Sequence, residues 1–197
     1  MLAAAALLLT AAPGVGQVTY DLGDGRWEQR EAPDPDTPAG EIQAIRRLIA
    51  EDKPGRARKR AADWLEDHPD HPLRVEALLL RGDAKTAERS YYKALFDYEA
   101  VIRNYPQSEQ FTTALEREFE IARLFVTGTR RKLWAIRFVP ADGEGEELLI
   151  RIQERTPGSA LGERASLLLA DYYFNEGQMG LATDAYDLFL INYPRST

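Results

Sequence analysis

The only two histidines of this 197-residue chain stand three positions apart, in His68-Pro69-Asp70-His71-Pro72, with Asp67 just ahead of them. Imidazoles flanked by carboxylates are donor types that hold zinc. Here the two prolines set the stretch as a turn, and no second cluster supplies further ligands, so the pattern reads as the end of a helix and not as a metal centre. Nucleophilic chemistry finds no footing either, since no serine has an obvious histidine base. Gly143-Glu144-Gly145 lacks the Lys-Ser or Lys-Thr ending of a phosphate-cradling loop and reads as the lead-in to a helix. Glu116, Glu118 and Glu120 read together as a solvated helix face. The chain has no cysteine, which excludes disulfides, thiolate metal sites and cysteine nucleophiles. A formal net charge of −7 and a pI near 5.0 argue against nucleic acid, because no basic stripe runs along the chain to neutralise phosphates. The basic run Arg56 to Arg60 is read as the exposed side of a helix. No catalytic residue, metal or cofactor is therefore expected, and the chain is read as a binding protein and not an enzyme, unless a catalytic part lies beyond Thr197.

The elements that organise these residues follow a ruler. Pro69, Pro106, Pro157 and Pro194 each close a helical pattern, and they are spaced 37, 51 and 37 residues apart. The middle gap equals one 37-residue unit plus 14 residues. A proline lacks the N–H a helix needs and disfavours helical geometry in the residue before it, so it marks where each helix stops. Twelve residues before the prolines stand Ala57, Ala94, Gly145 and Ala182, where small side chains let two helices approach. Eight residues before them stand Ala61, Tyr98, Leu149 and Tyr186, and Gly82 and Ala170 hold the matching small site on the preceding helices. The 3.6-residue period marks an inward face with Ile42, Ile45, Leu48, Ile49, Ala57, Ala61, Trp64 and Leu65. It continues with Val75, Leu78, Leu79, Gly82, Ala84, Ala87, Ala94, Tyr98, Val101 and Ile102. The third unit adds Ala114, Leu115, Phe119, Ala122, Leu124, Phe125, Leu148, Leu149 and Ile152, and Ser108 is the expected N-cap of its first helix. The last two helices are expected over Leu161–Asn175 and Gly180–Asn192. Such periods indicate stacked helical hairpins.

With these positions in place the chain resembles tetratricopeptide repeat proteins, over residues 41 to 197. More narrowly it is similar to the BamD-like group, whose repeats begin Tyr-x-x-Ala and end Tyr-Pro-x-Ser. The corresponding stretches here are Tyr91-Tyr-Lys-Ala94 with Tyr105-Pro-Gln-Ser108, and Met179-Gly-Leu-Ala182 with Tyr193-Pro-Arg-Ser196. The resemblance implies an all-α, tetratricopeptide-type solenoid of about four hairpins, with units at 41–70, 71–107, 108–158 and 159–197. It implies a periplasmic scaffold, or one on the periplasmic face of the outer membrane, that helps assemble outer-membrane β-barrel proteins. Its partners are then outer-membrane assembly factors or unfolded β-barrel chains. The alternative is a scaffold for a cell-wall or Tol-Pal-type envelope complex. The lipidated cysteine that anchors members of the BamD-like group has no counterpart here.

Three segments lie outside the repeat. Residues 1–17 are apolar and small and read as an export signal, or else as a disordered tail. Residues 18–40, rich in glycine, proline and acid, read as an extended linker. Residues 127–143 interrupt the third unit with Arg130, Arg131 and Lys132 ahead of alternating Trp134, Ile136 and Phe138. That insertion either folds over a gap between helices, or meets a membrane surface or partner, or couples to the acidic groove of the same molecule. The groove itself is expected along the first helix of each unit, lined by Asp83, Glu116, Glu120, Arg123, Asp171 and Asn175. Past Tyr193, either a partner covers the last helix or the protein continues.

Overall fold

The computed structural model describes residues 19–23, 26–30, 33–128 and 142–196. Eight helices and one two-stranded hairpin form among them. The strands are β1 (Thr19–Gly23) and β2 (Arg26–Arg30), antiparallel, with Thr19 opposite Arg30 and Gly23 opposite Arg26. The sequence predicts an extended linker over residues 18–40, and part of it pairs as this hairpin. The signal that reading overlooks is Asp24-Gly25, the dipeptide that two-residue hairpin loops favour, between two short segments of strand-compatible composition.

The helices are α1 (Pro38–Ala50), α2 (Pro54–Asp67), α3 (Arg74–Ala87), α4 (Tyr91–Asn104), α5 (Gln110–Gly128), α6 (Asp142–Arg155), α7 (Ala160–Asn175) and α8 (Met179–Asn192). α1 begins three residues ahead of the predicted Glu41. Thr37 caps it by accepting the Gly40 N–H at 3.2 Å, and Pro38 occupies the first turn, where its missing N–H costs nothing. Ser159 caps α7 in the same way. Ser108 takes another role: its hydroxyl donates to the Tyr105 carbonyl at 2.8 Å, in the turn before α5. Each of the four ruler prolines falls two residues beyond a helix end, after Asp67, Asn104, Arg155 and Asn192.

Every helix packs on the next one in sequence, and α1, α3, α5 and α7 also touch in series. The all-α class expected from the 3.6-residue period is thus what the described residues form, the hairpin apart. The close approaches occur at the predicted small residues. Ala57 and Ala94 are fully buried, and Ala182 is 3% exposed. A Cβ on Gly82 would come within 2.5 Å of the Tyr98 ring, and one on Gly145 within 2.7 Å of Val126. Glycine is the residue that admits the tyrosine ring against the α3 backbone.

One apolar cluster runs from Ile42 to Ala182. Most predicted inward positions belong to it, with two corrections. Ala87 is exposed in the last turn of α3, and Leu124 is 36% exposed on α5. Leu48 and Ile49 are half-buried. Conversely Ala77, Leu80 and Ile121 are buried although they lie off the predicted stripe. Helices packed on two or three sides bury more than one stripe. The predicted export signal and the core of the insertion, with Arg130, Arg131, Lys132, Trp134, Ile136 and Phe138, lie outside the described residues.

Candidate functional site

Charged side chains line up where α5 meets α7. Glu116, Glu120 and Arg123 recur at spacings of four and three, so the helix sets them on one face. Arg164 of α7 reaches across to this face. Its guanidinium donates to Glu116 at 3.1 and 3.3 Å and to Glu120 at 3.5 Å. It also lies 4.4 Å over the Phe119 ring, a cation–π geometry. Arg123 donates two hydrogen bonds to the other Glu120 oxygen, at 2.7 and 3.0 Å. Three of the six predicted groove residues are therefore joined in one ladder. Its carboxylates and guanidinia are all about half solvent-accessible, so a polar or charged segment of another chain can compete for them at little desolvation cost.

Asp83 and Asp171 play a different part. The Tyr98 hydroxyl donates to Asp83 Oδ1 at 2.9 Å, and Arg117 Nε of α5 donates to the same oxygen at 2.9 Å. Thr86 shares a 3.0 Å hydrogen bond with that hydroxyl. Burial, reinforced by the Asp83 charge, pushes the Tyr98 phenol far above its ordinary range. The hydrogen bond that Arg117 donates to Asp83, with the aspartate's charge behind it, raises the guanidinium's pKa. Asp171 accepts from Tyr186 at 2.6 Å in the same arrangement two repeats later. The expectation that Asp83 faces outward as a free groove residue is thus replaced: it ties α3, α4 and α5 together. Asn175 is exposed in the last turn of α7.

A second polar cluster escaped the sequence reading. Glu118 was grouped with Glu116 and Glu120, but it is 1% exposed. Residues two apart on a helix point to opposite sides, so the three cannot share a face. Arg155 of α6 forks onto Glu99 of α4 with two 2.8 Å hydrogen bonds and comes within 3.7 Å of Glu118. Burial first, then the nearby Glu99 carboxylate, pushes Glu118 up to about 7. The Arg155 hydrogen bonds hold Glu99 below its ordinary value. Asp97, 2% exposed, is likewise gripped by Arg81 and by Lys85, each at 2.7 Å. The signal for it was Arg81 and Lys85 four apart on α3, facing an acid on the return helix.

The histidine turn carries no metal geometry. His71 Nδ1 accepts the Leu73 N–H at 3.1 Å, and both imidazoles pack around Trp64, with ring centroids 4.8 and 5.4 Å away. Among the described residues no group of three His, Cys, Asp or Glu side chains is placed to hold a metal ion. The basic run on α2 divides its roles: Arg58 pairs with Glu88 at 2.7 Å. Arg56, Lys59 and Arg60 line an open cleft of about 450 Å³ together with Glu41, Asp63 and Asp67, so its charge is mixed. No helix among the described residues is long and apolar enough to cross a membrane. No protein-family model matches the chain, and no curated protein matches it.

Proposed function

We propose that the chain is a tetratricopeptide-type scaffold of the cell envelope that holds a protein partner and performs no chemistry of its own. The observation that carries the repeat reading is the coincidence of α3–α4 with α7–α8. Gly82, Asp83, Ala94 and Tyr98 have Ala170, Asp171, Ala182 and Tyr186 at one constant offset, with the same hydrogen bond between aspartate and tyrosine. The series of contacts from α1 through α3 and α5 to α7 is what a stack of such hairpins requires. The ladder of Glu116, Glu120, Arg123 and Arg164 is the surface we assign to the partner, because it is charged, accessible and built from two successive hairpins.

The placement in the envelope draws on the Tyr-Pro-x-Ser endings and the apolar first residues. On that reading the protein is exported, resides in the periplasm or on the periplasmic face of the outer membrane, and assists assembly of outer-membrane β-barrel proteins. The test is affinity capture from envelope extracts with the purified chain. Recovery of a β-barrel assembly factor, lost with the Glu116→Lys/Glu120→Lys variant, supports the assignment. Recovery of peptidoglycan synthases or Tol-Pal components instead transfers the scaffold to a cell-wall complex. A partner retained equally by the charge-reversed variant removes the ladder as the binding surface.

A further inference from the structure

The prolines that follow α2, α4, α6 and α8 put the outward positions of these helices in register, and one unit departs from the others. Fourteen residues before the prolines stand Gly55, Tyr92, Gly143 and Gly180, and ten residues before them stand Lys59, Phe96, Glu147 and Asp184. All eight are exposed. α4 alone therefore carries aromatic rings at sites that are otherwise glycine or charged, and its two rings lie one helical turn apart. Tyr92 is 49% exposed and Phe96 76%. Tyr92 is held in place: its hydroxyl donates to Glu144 at 2.8 Å, and its ring centroid lies 5.3 Å from that of Phe125. Phe96 stands in an internal hairpin, with α2 packed on α3 and α5 packed on α4, so its exposure is not that of a chain end.

The charge beside this pair runs against that of the whole chain. Lys93, three residues before Phe96 and on the same face, is exposed and pairs with no carboxylate among the described residues. It lines a cleft of about 420 Å³ with Arg58, Lys85, Glu88 and Ser90. Arg58 pairs with Glu88 at 2.7 Å, and Lys85 shares Asp97 with Arg81, so cations are in excess there although the chain carries −7. The geometry points to the exposed face of α4 as a docking surface for an acidic segment of a partner protein, one that lays an apolar side chain across Tyr92 and Phe96 and directs a carboxylate to the cleft beside Lys93. The rings are rigid, so they present apolar area at little entropic cost, as aromatic side chains at interfaces do. Glu144, at the Tyr92 hydroxyl, repels acid on that side and orients the segment with its carboxylates toward Lys93. A bilayer fits less well, because the cations line a cleft and not a plane, and the net negative charge of the chain opposes an anionic surface. The inference rests on the repeat offsets, goes beyond the ladder on α5 and α7, and is independent of the envelope placement.

The probe is the fluorescein-labelled peptide Asp-Glu-Leu-Phe-Glu-Asp, titrated into the full chain by fluorescence anisotropy. Saturable binding at one peptide per chain is expected, and neither Lys-Lys-Leu-Phe-Lys-Lys nor Asp-Glu-Ser-Ser-Glu-Asp reproduces it. Phe96→Ser, at an exposed position, weakens binding by about tenfold or more and leaves the urea midpoint unchanged. Lys93→Glu weakens it about tenfold, and added salt narrows the gap between that variant and the wild type. Glu116→Lys/Glu120→Lys leaves peptide binding as it was, which separates this surface from the ladder. Absence of binding, or binding indifferent to Phe96→Ser and Lys93→Glu, overturns the proposal. So does co-sedimentation with phosphatidylglycerol vesicles that Phe96→Ser abolishes while the peptide fails, which assigns the face to a lipid surface. A sedimentation mass of two chains that Phe96→Ser returns to one overturns it as well, in favour of a second copy. Envelope capture through the ladder that persists when the peptide fails leaves the scaffold reading standing; peptide binding without an envelope partner leaves the α4 surface standing alone.

Discussion

The second and fourth hairpins of this protein use nearly one pattern and live in different surroundings. α3–α4 is covered on its far side by α5, and α7–α8 has no following helix among the described residues. Tyr98 is buried to 0% exposure in the first, while its counterpart Tyr186 keeps part of its surface in water. α4 buries Val101 and Ile102, yet α8 buries Ala182 and Phe189 and leaves Leu181, Leu188, Leu190 and Ile191 exposed. The lesson is that the repeat pattern specifies which side chains face a neighbour, but a neighbour must be there to convert that direction into burial. The same residue type at the same repeat position then carries different energies.

The largest expected contrast is at the tyrosines. Tyr98→Ala removes a fully enclosed ring and should cost about 3 to 5 kcal/mol, whereas Tyr186→Ala should cost about 1 to 2 kcal/mol. Urea melts of the two variants measure the difference, and equal losses would break the comparison.

Next comes the covering helix, which buries a carboxylate that the terminal hairpin has no occasion to bury. Glu118 holds its proton up to about pH 7 in the folded state, against an ordinary value of 4.5. Below pH 4.5 both folded and unfolded chains are protonated there, so the group makes no difference. Between the two values the folded chain keeps a proton the unfolded one has released, so stability falls as pH rises. Above pH 7 the full penalty, roughly 3 kcal/mol, is present. Glu118→Gln should therefore flatten the pH dependence of the melting midpoint between pH 5 and 8 and leave stability at pH 4 nearly unchanged. A wild-type chain that gains stability over that window would contradict the burial of Glu118 beside Glu99.

A smaller effect is expected at the close helix contact. Gly82→Ala places a methyl within 2.5 Å of the Tyr98 ring and should cost about 1 to 3 kcal/mol, although Ala170 carries that methyl naturally two repeats later. Adding Tyr98→Phe does not relieve it, because the clash is with ring carbons and not with the hydroxyl.

The smallest contrast concerns the aspartate–tyrosine pair that the two hairpins share. Asp83→Ala unlinks Tyr98 from Arg117 and should cost about 1 to 2 kcal/mol, whereas Asp171→Ala, which among the described residues loses the Tyr186 hydrogen bond, should cost about 0.5 kcal/mol or less. A thermal melt of each resolves the pair. From the sequence alone Asp83 reads as a residue lining the groove. That reading misses because Arg117, the partner that recruits Asp83, is 34 residues away and on another hairpin.

Much of the fold is legible in the chain because it is written in local terms. Helix ends follow from Pro69, Pro106, Pro157 and Pro194, since a proline acts on its own and the preceding residue only. The close contacts follow from Gly82, Ala94 and Gly145, since side-chain volume is a property of the residue. The predicted acidic groove is legible only in part. Glu116, Glu120 and Arg123 share a face by helical spacing, but the ladder they make depends on Arg164, which reaches them from α7. Glu118 was misplaced with them because an alternating run of acids reads as one surface until the helical twist is applied. The hairpin at Thr19–Arg30 was passed over because its strands are short and polar.

By itself the sequence determined where four helices end, most of the inward stripe, and that the pattern of the second hairpin returns in the fourth. These depend on backbone chemistry and periodicity within a few residues. Only the tertiary structure decided that Glu118 is buried beside Arg155, that Asp83 bonds across three helices, and that Leu190 meets water where Ile102 is buried. Burial and charge pairing are set by what lies across an interface, and in this chain the other side of each interface comes from a distant part of the sequence.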